Sequence, residues 1–450
     1  MATIVEALAA YGANLSFRDI PAAAVEKAKI CVLDLIGIAT AGASRSNARV
    51  AVKTATALGA PGKAPVWLDG QRLRAIDAVL PNSVASHCIL QDDWLPVSHS
   101  HVGAAVVPTA LAVCEEEGGS GADLIAAIVA AYDIADRSGE LSVPMFNRGF
   151  RPSALCAYFG ATAAAAKLLR LDAEQTANAL GCAGSVCGGV LQPWREGSME
   201  WSFQEGLASR AGITAAHLAR NGLAGSRTVI EGNSGLNKSF GGTNEGERGA
   251  VDKLGEHFRI VDTCFKRFPT GGANQGSASV SHALANRHRI DWRRIVKVDV
   301  EIPHAGTHER MNYAGIDYAG PYASIDQCLI SKQFAIAMNL KTGDVRYADM
   351  ERERADPDFL ALTHKIRLSE TAARRGWDLA MRIHLDDGTV IAGSGADIDQ
   401  GQLYLDWPCA VGKLNAVTRG LRSEETAAAI VEAVKTLDTL PSVAPLTALL

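Results

Sequence analysis

The sequence predicts a mainly α-helical protein with a large all-helical domain and a smaller α+β domain. Ala-rich text with helical periodicity fills the first half of the 450-residue chain, and alternating text begins after about residue 262. Helical text returns after about residue 404, and the chain is too long for one ordinary compact domain. We therefore expect a helical domain over residues 1–262, completed by residues 405–450, and an α+β domain over residues 263–404.

Segments of the first half carry the apolar period of amphipathic helices. In residues 22–41, apolar side chains recur every three or four positions, and Gly42 follows as a helix-ending residue. The same pattern predicts helices over residues 122–136, 153–169, 173–180 and 204–219. Because Ala and Gly are small, these helices can pack closely, so we expect several of them to be buried on nearly all sides.

The α+β domain is predicted from alternating apolar and polar residues. Residues 295–302 read IVKVDVEI, with Val296, Val298, Val300 and Ile302 on one face, and residues 365–368 form a shorter strand. Residues 379–391 contain two alternating runs around Asp387-Gly388, a strong hairpin signal. Helices are predicted at residues 328–340 and 423–437, and the latter should pack back on the first domain.

Composition excludes several classes of protein. Apolar residues make up 48% of the chain, charged residues 21%, and the formal net charge is -5. This balance gives no basic face for nucleic acid and no polybasic membrane surface. The sequence lacks a long purely apolar run, and its N-terminus lacks the regions of a signal peptide. The nine cysteines are scattered without a CxxC pair, so we expect reduced thiols in a cytoplasmic protein.

Residues 87–108, HCILQDDWLPVSHSHVGAAVVP, are the most unusual stretch of the chain. Acids and imidazoles are costly to bury unless they are paired, so their cluster between apolar segments predicts a pocket. A metal site formed by Asp92, Asp93, His99 and His101 is an alternative, although their spacing matches no metal motif. A solvated loop is the other alternative.

Two further stretches carry candidate anion-binding groups. In residues 264–274, CFKRFPTGGAN, Lys266 and Arg267 precede a Gly-Gly turn whose N–H groups suit an anion. In residues 194–205, WREGSMEWSFQE, Arg195 could clamp a carboxylate. The alternatives are solvent-facing cations and a local Arg–Glu ion pair. Neither GxSxG, a P-loop nor GxGxxG occurs between a strand and a helix.

Several short motifs, taken in order, resemble those of the MmgE/PrpD family. They are the D-x-x-G-x-x-x-x-G segment from Asp34, NSVASH at residues 82–87, Asp92-Asp93, the histidine of HVGAAVVP at His101, GSM at residues 197–199, TVIEGNSG at residues 228–235 and KRFP at residues 266–269. The family includes 2-methylcitrate dehydratase, cis-aconitate decarboxylase and iminodisuccinate epimerase. The resemblance implies a cleft between the two domains, no metal or organic cofactor, a small polycarboxylate substrate and a homodimer.

The resemblance also implies roles for individual residues. His101 is the predicted acid/base, Asp93 or Asp92 orients it, and Lys266 holds substrate carboxylates with Arg151 and Arg195. Tyr318, with Tyr322 as its rival, would move a proton on the opposite face. The other predicted substrate-binding residues are Trp94, His99, Trp201, Arg267 and Gln275.

The chain differs from the family pattern at several pocket positions. Leu90 replaces an acid, Arg151 a histidine and Trp201 a lysine, and Gly271 or Gln275 stands near the place of another histidine. A moved cation and a large apolar wall predict a substrate less symmetrically charged than cis-aconitate, with an apolar or aromatic part. We expect a cofactor-independent lyase, either a dehydratase or a decarboxylase; an epimerase or isomerase and a catalytically silent member of the same fold remain alternatives.

Overall fold

The computed structural model describes residues 2–303, 318–374 and 376–450. Its α-helices are α1 (Ile4–Asn14), α2 (Ala22–Gly42), α3 (Ser46–Leu58), α4 (Ala75–His87), α5 (Gly103–Glu117), α6 (Gly121–Ser138), α7 (Ser142–Asn147), α8 (Pro152–Leu168), α9 (Ala173–Val186), α10 (Gln192–Glu196), α11 (Gln204–Arg220), α12 (Gln275–His288), α13 (Ile325–Ile330), α14 (Lys332–Thr342), α15 (Met350–Arg354), α16 (Pro357–His364), α17 (Gln400–Leu403), α18 (Trp407–Thr418), α19 (Glu424–Lys435) and α20 (Ala444–Thr447). Its strands are β1 (Pro61–Pro65), β2 (Arg72–Leu73), β3 (Asp93–Trp94), β4 (Cys264–Phe265), β5 (Ile295–Pro303), β6 (Ile366–Thr371), β7 (Ala380–Leu385) and β8 (Val390–Ser394).

The predicted fold class, mainly α with a smaller α+β part, is confirmed. The helices expected in the first half are present as α2, α6, α8, α9 and α11. The single helix expected over residues 328–340 is wrong, because the chain turns at Ser331. That residue ends α13 with ψ 121°, and its side chain accepts a hydrogen bond from the backbone N–H of Phe334, which caps the start of α14.

The main sheet has four strands in the order β6-β5-β7-β8. Strands β5 and β6 are parallel, whereas β7 and β8 form the predicted antiparallel hairpin, with Gly388 at φ 84° in its turn. Val298 and Val300 are buried as expected, but Val296 is exposed. An irregularity in the β5–β7 pairing between Ile295 and Lys297 shifts the alternation, so that Ile295 takes the buried place.

Buried apolar side chains form two main clusters, which we use to define two lobes. The cluster of the large lobe draws its residues from Ile4 to Phe265 and again from Leu405 to Leu446. The cluster of the small lobe comes mainly from the chain between Phe268 and Leu403. Helices α18 and α19 contact α2, so the C-terminal part of the chain completes the large lobe.

A short strand pair connects distant parts of the chain at the boundary between the lobes. Strand β3 pairs antiparallel with β4, with Asp93 opposite Phe265 and Trp94 opposite Cys264. This pairing brings Lys266 beside Asp92, the residue that precedes β3. Among the described residues, no helix combines the length and apolar character needed to cross a membrane.

Candidate active site in the cleft between the lobes

A cleft lined by both lobes contains His99, His101 and Arg151, three of the residues singled out from the sequence. Its walls are formed from the first half of the chain by Trp94, His99, His101, Phe146, Arg151, Pro152, Ser153, Leu191 and Trp194, and from the chain after Phe268 by Gly271, Gly272, Ala273, Asn274, Ile330 and Lys332. Aromatic and aliphatic groups therefore surround a few polar ones, which is typical of a site for a small molecule.

His101 lies in this wall with one ring nitrogen fixed by the backbone. Its Nδ1 is 3.0 Å from the carbonyl oxygen of Asp93, and its backbone N–H donates to Ser153 Oγ at 3.1 Å. A carbonyl only accepts, so Nδ1 carries the proton and Nε2 keeps its lone pair. No described group lies within hydrogen-bonding distance of Nε2. Burial, and then the charge of Lys266, hold the pKa of His101 well below its usual value, so the ring is a neutral base.

Asp92 is the buried carboxylate around which the neighbouring charges are arranged. Its Oδ1 accepts from Lys266 Nζ at 2.8 Å, its Oδ2 lies 2.8 Å from His87 Nδ1, and Oδ2 is 3.9 Å from His101 Nδ1. Burial alone would raise the pKa of Asp92, but His87 and Lys266 hold it well below its usual range. The carboxylate is therefore ionised, and it links the lysine to both imidazoles.

The neighbouring carboxyl group of Asp93 faces away from His101, into the large lobe. Tyr132 donates its hydroxyl proton to Oδ2 of Asp93, whereas Oδ1 has no partner among the described residues. Burial, together with the charge of Asp92, raises the pKa of Asp93 to about 7. A Cβ at Gly103 would lie 2.4 Å from both carboxyl oxygens, so only glycine fits there.

A second buried pair extends the charge network behind the cleft. The guanidinium of Arg151 contacts Glu205 through Nη2–Oε1 at 3.0 Å and Nη1–Oε2 at 3.1 Å. Its Nη2 is also 2.6 Å from His87 Nε2. Because a guanidinium only donates, His87 Nε2 must accept, and its Nδ1–H donates to Asp92. A continuous chain of polar contacts thus runs from Glu205 to Lys266, past the ring of His101.

Comparison with known proteins identifies the family. The MmgE/PrpD N-terminal domain matches residues 6–248, and the MmgE/PrpD C-terminal domain matches residues 268–439. The chain belongs to the MmgE/PrpD family. The family resemblance expected from the motifs is therefore confirmed.

Curated relatives of this MmgE/PrpD chain carry the name cis-aconitate decarboxylase. The protein from Aspergillus terreus is 28% identical over 239 residues, which are 52% of this chain and 47% of the relative. The protein from Homo sapiens is 26% identical over 293 residues, 62% of this chain and 60% of the relative. The matched segments thus span about half to three-fifths of these relatives.

Four of the predicted site residues, His101, Trp94, His99 and Arg151, lie on the cleft wall, together with the substituted position Gly271. His99 has a left-handed backbone, with φ 51°, and its Nδ1 is 3.1 Å from Ser142 Oγ. The solvated-loop alternative is wrong, because Asp92 and His101 are buried. In the described part of the chain, no three His, Cys, Asp or Glu side chains are grouped to hold a metal ion.

Lys266 lies near His101 but not where a carboxylate-holding role requires it. The two side chains meet at Asp92, beneath the cleft, and Lys266 does not line the wall. Asp92 binds the ammonium that was expected to bind substrate. The convergence of Lys266 and His101 is thus present, through a shared carboxylate rather than across an open cavity.

Trp201 does not form the apolar wall that was expected of it. It is 1% exposed, lies 5.6 Å below the Arg151 guanidinium and donates from Nε1 to Asp326 at 2.8 Å. The apolar wall is formed instead by other residues, among them Trp94 and Trp194.

The other predicted binding residues lie off the cleft wall for identifiable reasons. Arg267 is drawn to His282 Nε2 at 2.8 Å, and the amide of Gln275 bonds to the backbone of the 268–270 turn. Tyr322 packs in the small lobe against Phe334, and its hydroxyl is 3.0 Å from Ser331 Oγ. Tyr318 donates to the carbonyl of Pro321, and Arg195 is exposed.

Sequence reasoning missed several wall residues with polar groups, among them Lys332 and Trp194. Lys332 was a detectable signal, because it is the one charged residue in the mostly apolar stretch CLISKQFAIAM at residues 328–338. Trp194 opens the stretch in which Arg195 was chosen instead. Glu205, the partner of Arg151, closes the same stretch.

Proposed function

We propose that this chain is a lyase acting on a small di- or tricarboxylate, with His101 transferring a proton at the carbon next to a carboxylate. One observation carries the proposal: His101 is a neutral imidazole on the cleft wall, with Nδ1 held by the Asp93 carbonyl and Nε2 unengaged. The relatives named cis-aconitate decarboxylase support decarboxylation as the first reaction to test.

The chemistry needs a proton donor or acceptor beside a carbon whose negative charge is stabilised. In a decarboxylation, the C–C bond to the departing CO₂ breaks, its electron pair stays on carbon, and protonated His101 delivers a proton there. In a dehydration, neutral His101 removes the proton, the C–O bond to the neighbouring hydroxyl breaks, and the departing oxygen takes up the proton from the imidazolium and leaves as water. An anionic substrate raises the pKa of an adjacent imidazole, so one histidine serves either direction.

A second candidate, an epimerase or isomerase, is favoured by the protonation state of the free protein. The low pKa of His101 leaves the ring ready to abstract a proton rather than to deliver one. An isomerase uses this abstraction and returns the proton without losing a group.

Proton NMR in D₂O separates these reactions. The acids tested as substrates are cis-aconitate, citrate, 2-methylcitrate and dicarboxylates with bulky apolar tails. We expect loss of CO₂ or of water; exchange of the α-proton without loss of a group would establish the isomerase instead. Preference for cis-aconitate over acids with an apolar tail would contradict the expectation of a less symmetrically charged substrate.

The role of His101 is tested by His101→Asn, with His288→Asn on the exposed end of α12 as its control. Loss of a general acid/base lowers kcat by about 10²- to 10⁴-fold. We expect this loss for His101→Asn at an unchanged unfolding temperature, and full activity for the control. Equal activity of the two variants would remove His101 from the reaction. Binding of acids without turnover would establish the silent alternative.

A further inference from the structure

His99 is a second imidazole on the cleft wall, two residues before His101. Among the described residues of that wall, only these two have a side chain whose ordinary pKa lies near neutral pH. The guanidinium of Arg151, by contrast, stays protonated in proteins. The cleft therefore holds two groups that can exchange protons with a ligand near neutral pH, and the proposed function uses only one of them.

The hydrogen bonds around His99 fix its tautomer. Ser142 Oγ donates its single proton to the carbonyl oxygen of Val97 at 3.2 Å. Towards His99 Nδ1, which lies 3.1 Å away, the same hydroxyl must therefore accept, so Nδ1 carries the proton. Nε2 of His99 has no hydrogen-bond partner among the described residues. His99 thus has the same free ring nitrogen as His101.

The loop that carries His99 is held by hydrogen bonds on both sides of this residue. The backbone N–H of Ser98 donates to Asp136 Oδ1 at 3.0 Å. The backbone N–H of Leu95 donates to the carbonyl oxygen of Ser100 at 2.9 Å and closes the loop. His99 itself has φ 51°, a left-handed conformation that is uncommon outside glycine. Such conformations persist where the surrounding contacts determine them, and they cluster at functional sites.

Charges of opposite sign act on the two imidazoles. Burial lowers the pKa of both rings. The next influence differs, because the charge of Lys266 lowers the pKa of His101 further, whereas the charge of Asp136 acts on His99 in the opposite direction. His99 is therefore the ring that takes up a proton more readily, and His101 is better suited to remove one. Two titratable groups in surroundings that separate them in this way are typical of an acid and a base in one active site.

We infer that His99 is a second catalytic residue, which donates a proton to the group that leaves the substrate while His101 removes a proton from carbon. The inference rests on the proposed function and deepens it. It favours a dehydration, because a decarboxylation needs a proton donor but no base.

The dehydration divides its two proton transfers between the two rings. The C–H bond next to the carboxylate breaks, and its proton passes to Nε2 of His101. The C–O bond breaks with its electron pair on oxygen, and Nε2–H of protonated His99 supplies the proton with which that oxygen leaves as water. Exchange with water then returns both rings to their starting states. With His101 alone, the proton taken from carbon would have to reach the departing oxygen from the same ring.

A change of leaving group tests the role of His99, because chloride leaves without a proton. Citrate and malate are each compared with the acid in which chlorine replaces the hydroxyl group. Loss of a general acid lowers the rate by about 10²- to 10⁴-fold. We expect His99→Asn to lose that factor in kcat with the hydroxy acids and to convert the chloro acids nearly as fast as wild type. Asparagine readily adopts a left-handed backbone, so the loop should keep its conformation.

Three comparison variants complete the test. His101→Asn lacks the base and should be slow with both kinds of acid, whereas His288→Asn, on the exposed end of α12, should match wild type with both. Ser142→Ala removes the acceptor of the Nδ1 proton and should slow the hydroxy acids alone, by a smaller factor, so it tests the inference even if His99→Asn fails to fold. In D₂O, His99→Asn should still exchange the proton next to the carboxylate, because His101 remains.

The outcomes separate this inference from the proposed function. Equal losses with the hydroxy and chloro acids in His99→Asn would overturn the inference, and so would wild-type activity of that variant. Loss of CO₂ from cis-aconitate by a wild type that dehydrates neither citrate nor malate would keep the lyase proposal and end the inference. A wild type that turns over no acid would end both.

Discussion

Replacing Asp93 by asparagine should stabilise the protein at alkaline pH, whereas the same replacement at Asp92 should destabilise it. The two carboxyl groups are adjacent and fully buried, but their surroundings differ. Burial raises the pKa of Asp93 from 3.8 to about 7, and Tyr132 is its hydrogen-bond donor. Asp92 has Lys266 and an imidazole as partners, which lower its pKa. The same Asp→Asn replacement at these two neighbouring positions should therefore change the stability of the fold in opposite directions.

The magnitude at Asp93 follows from its pKa. Between pH 3.8 and about 7 the folded protein keeps a proton that the unfolded chain releases. The stabilisation due to the neutral carboxyl is therefore complete below pH 3.8 and is lost as the pH rises to about 7. At about 1.4 kcal/mol per pH unit, the largest loss is about 4 kcal/mol. Asparagine does not ionise and can still accept from Tyr132, so the variant escapes this loss.

At Asp92 the sign is reversed. Its lowered pKa stabilises the fold above the ordinary carboxyl pKa, and this contribution is lost only as the pH falls through the lowered value. Asp92→Asn leaves Lys266 buried without its carboxylate, which costs about 3–5 kcal/mol. Near neutral pH this penalty should hardly depend on pH.

Urea unfolding followed by circular dichroism, repeated from about pH 5 to about pH 8, measures both effects. The midpoint of Asp93→Asn should rise relative to wild type with increasing pH, whereas Asp92→Asn should stay below wild type throughout. Because only the backbone carbonyl of residue 93 contacts His101, Asp93→Asn should retain most of its activity. A wild-type-like pH slope in Asp93→Asn would refute the reasoning.

Two other predictions concern the buried cations. Burial and then Lys266 lower the pKa of His101. Lys266→Met should therefore raise that pKa and move the acid limb of the profile of kcat/KM against pH to higher pH. An acid limb at the wild-type pH would show that the lysine does not act on the imidazole. Glu205→Gln removes the carboxylate from the Arg151 guanidinium, so unfolding should become easier by about 3–5 kcal/mol. A loss below about 1 kcal/mol in a denaturation experiment would mean that the pair is not important for stability.

Much of the fold could be predicted from local patterns. The apolar period of residues 22–41 predicts a helix, and α2 forms there, although the helix is buried on all sides from Ala28 to Thr40. Two structural predictions were wrong, because local features that apolar periodicity does not reveal decided the outcome. Ser331 both ends one helix and caps the next, and an irregular pairing at the start of β5 exchanges the faces of Ile295 and Val296.

The candidate site was less predictable, because side-chain partners come from distant parts of the chain. The family motif gave His101, which lines the cleft. Positions in the sequence could not show that Lys266 would form an ion pair with Asp92, or that Arg267 would bind His282. Lys332 belonged to no motif and reaches the site only because α14 packs beside the Gly-Gly turn. Homodimer formation and a cytoplasmic location stay predictions.

The strand pair β3–β4 has a consequence for any movement of one lobe against the other. In the described part of the chain, the main passage into the small lobe lies next to β4 and the return to the large lobe lies after α17, which contacts β4. Both crossings thus lie at one seam, and any swing of the small lobe would turn about that seam. Groups near an axis move least, so a swing of the small lobe would preserve the hydrogen bond between the Asp93 carbonyl and His101 Nδ1. The same swing would carry Lys332 through a wider arc and change the width of the cleft at its far end.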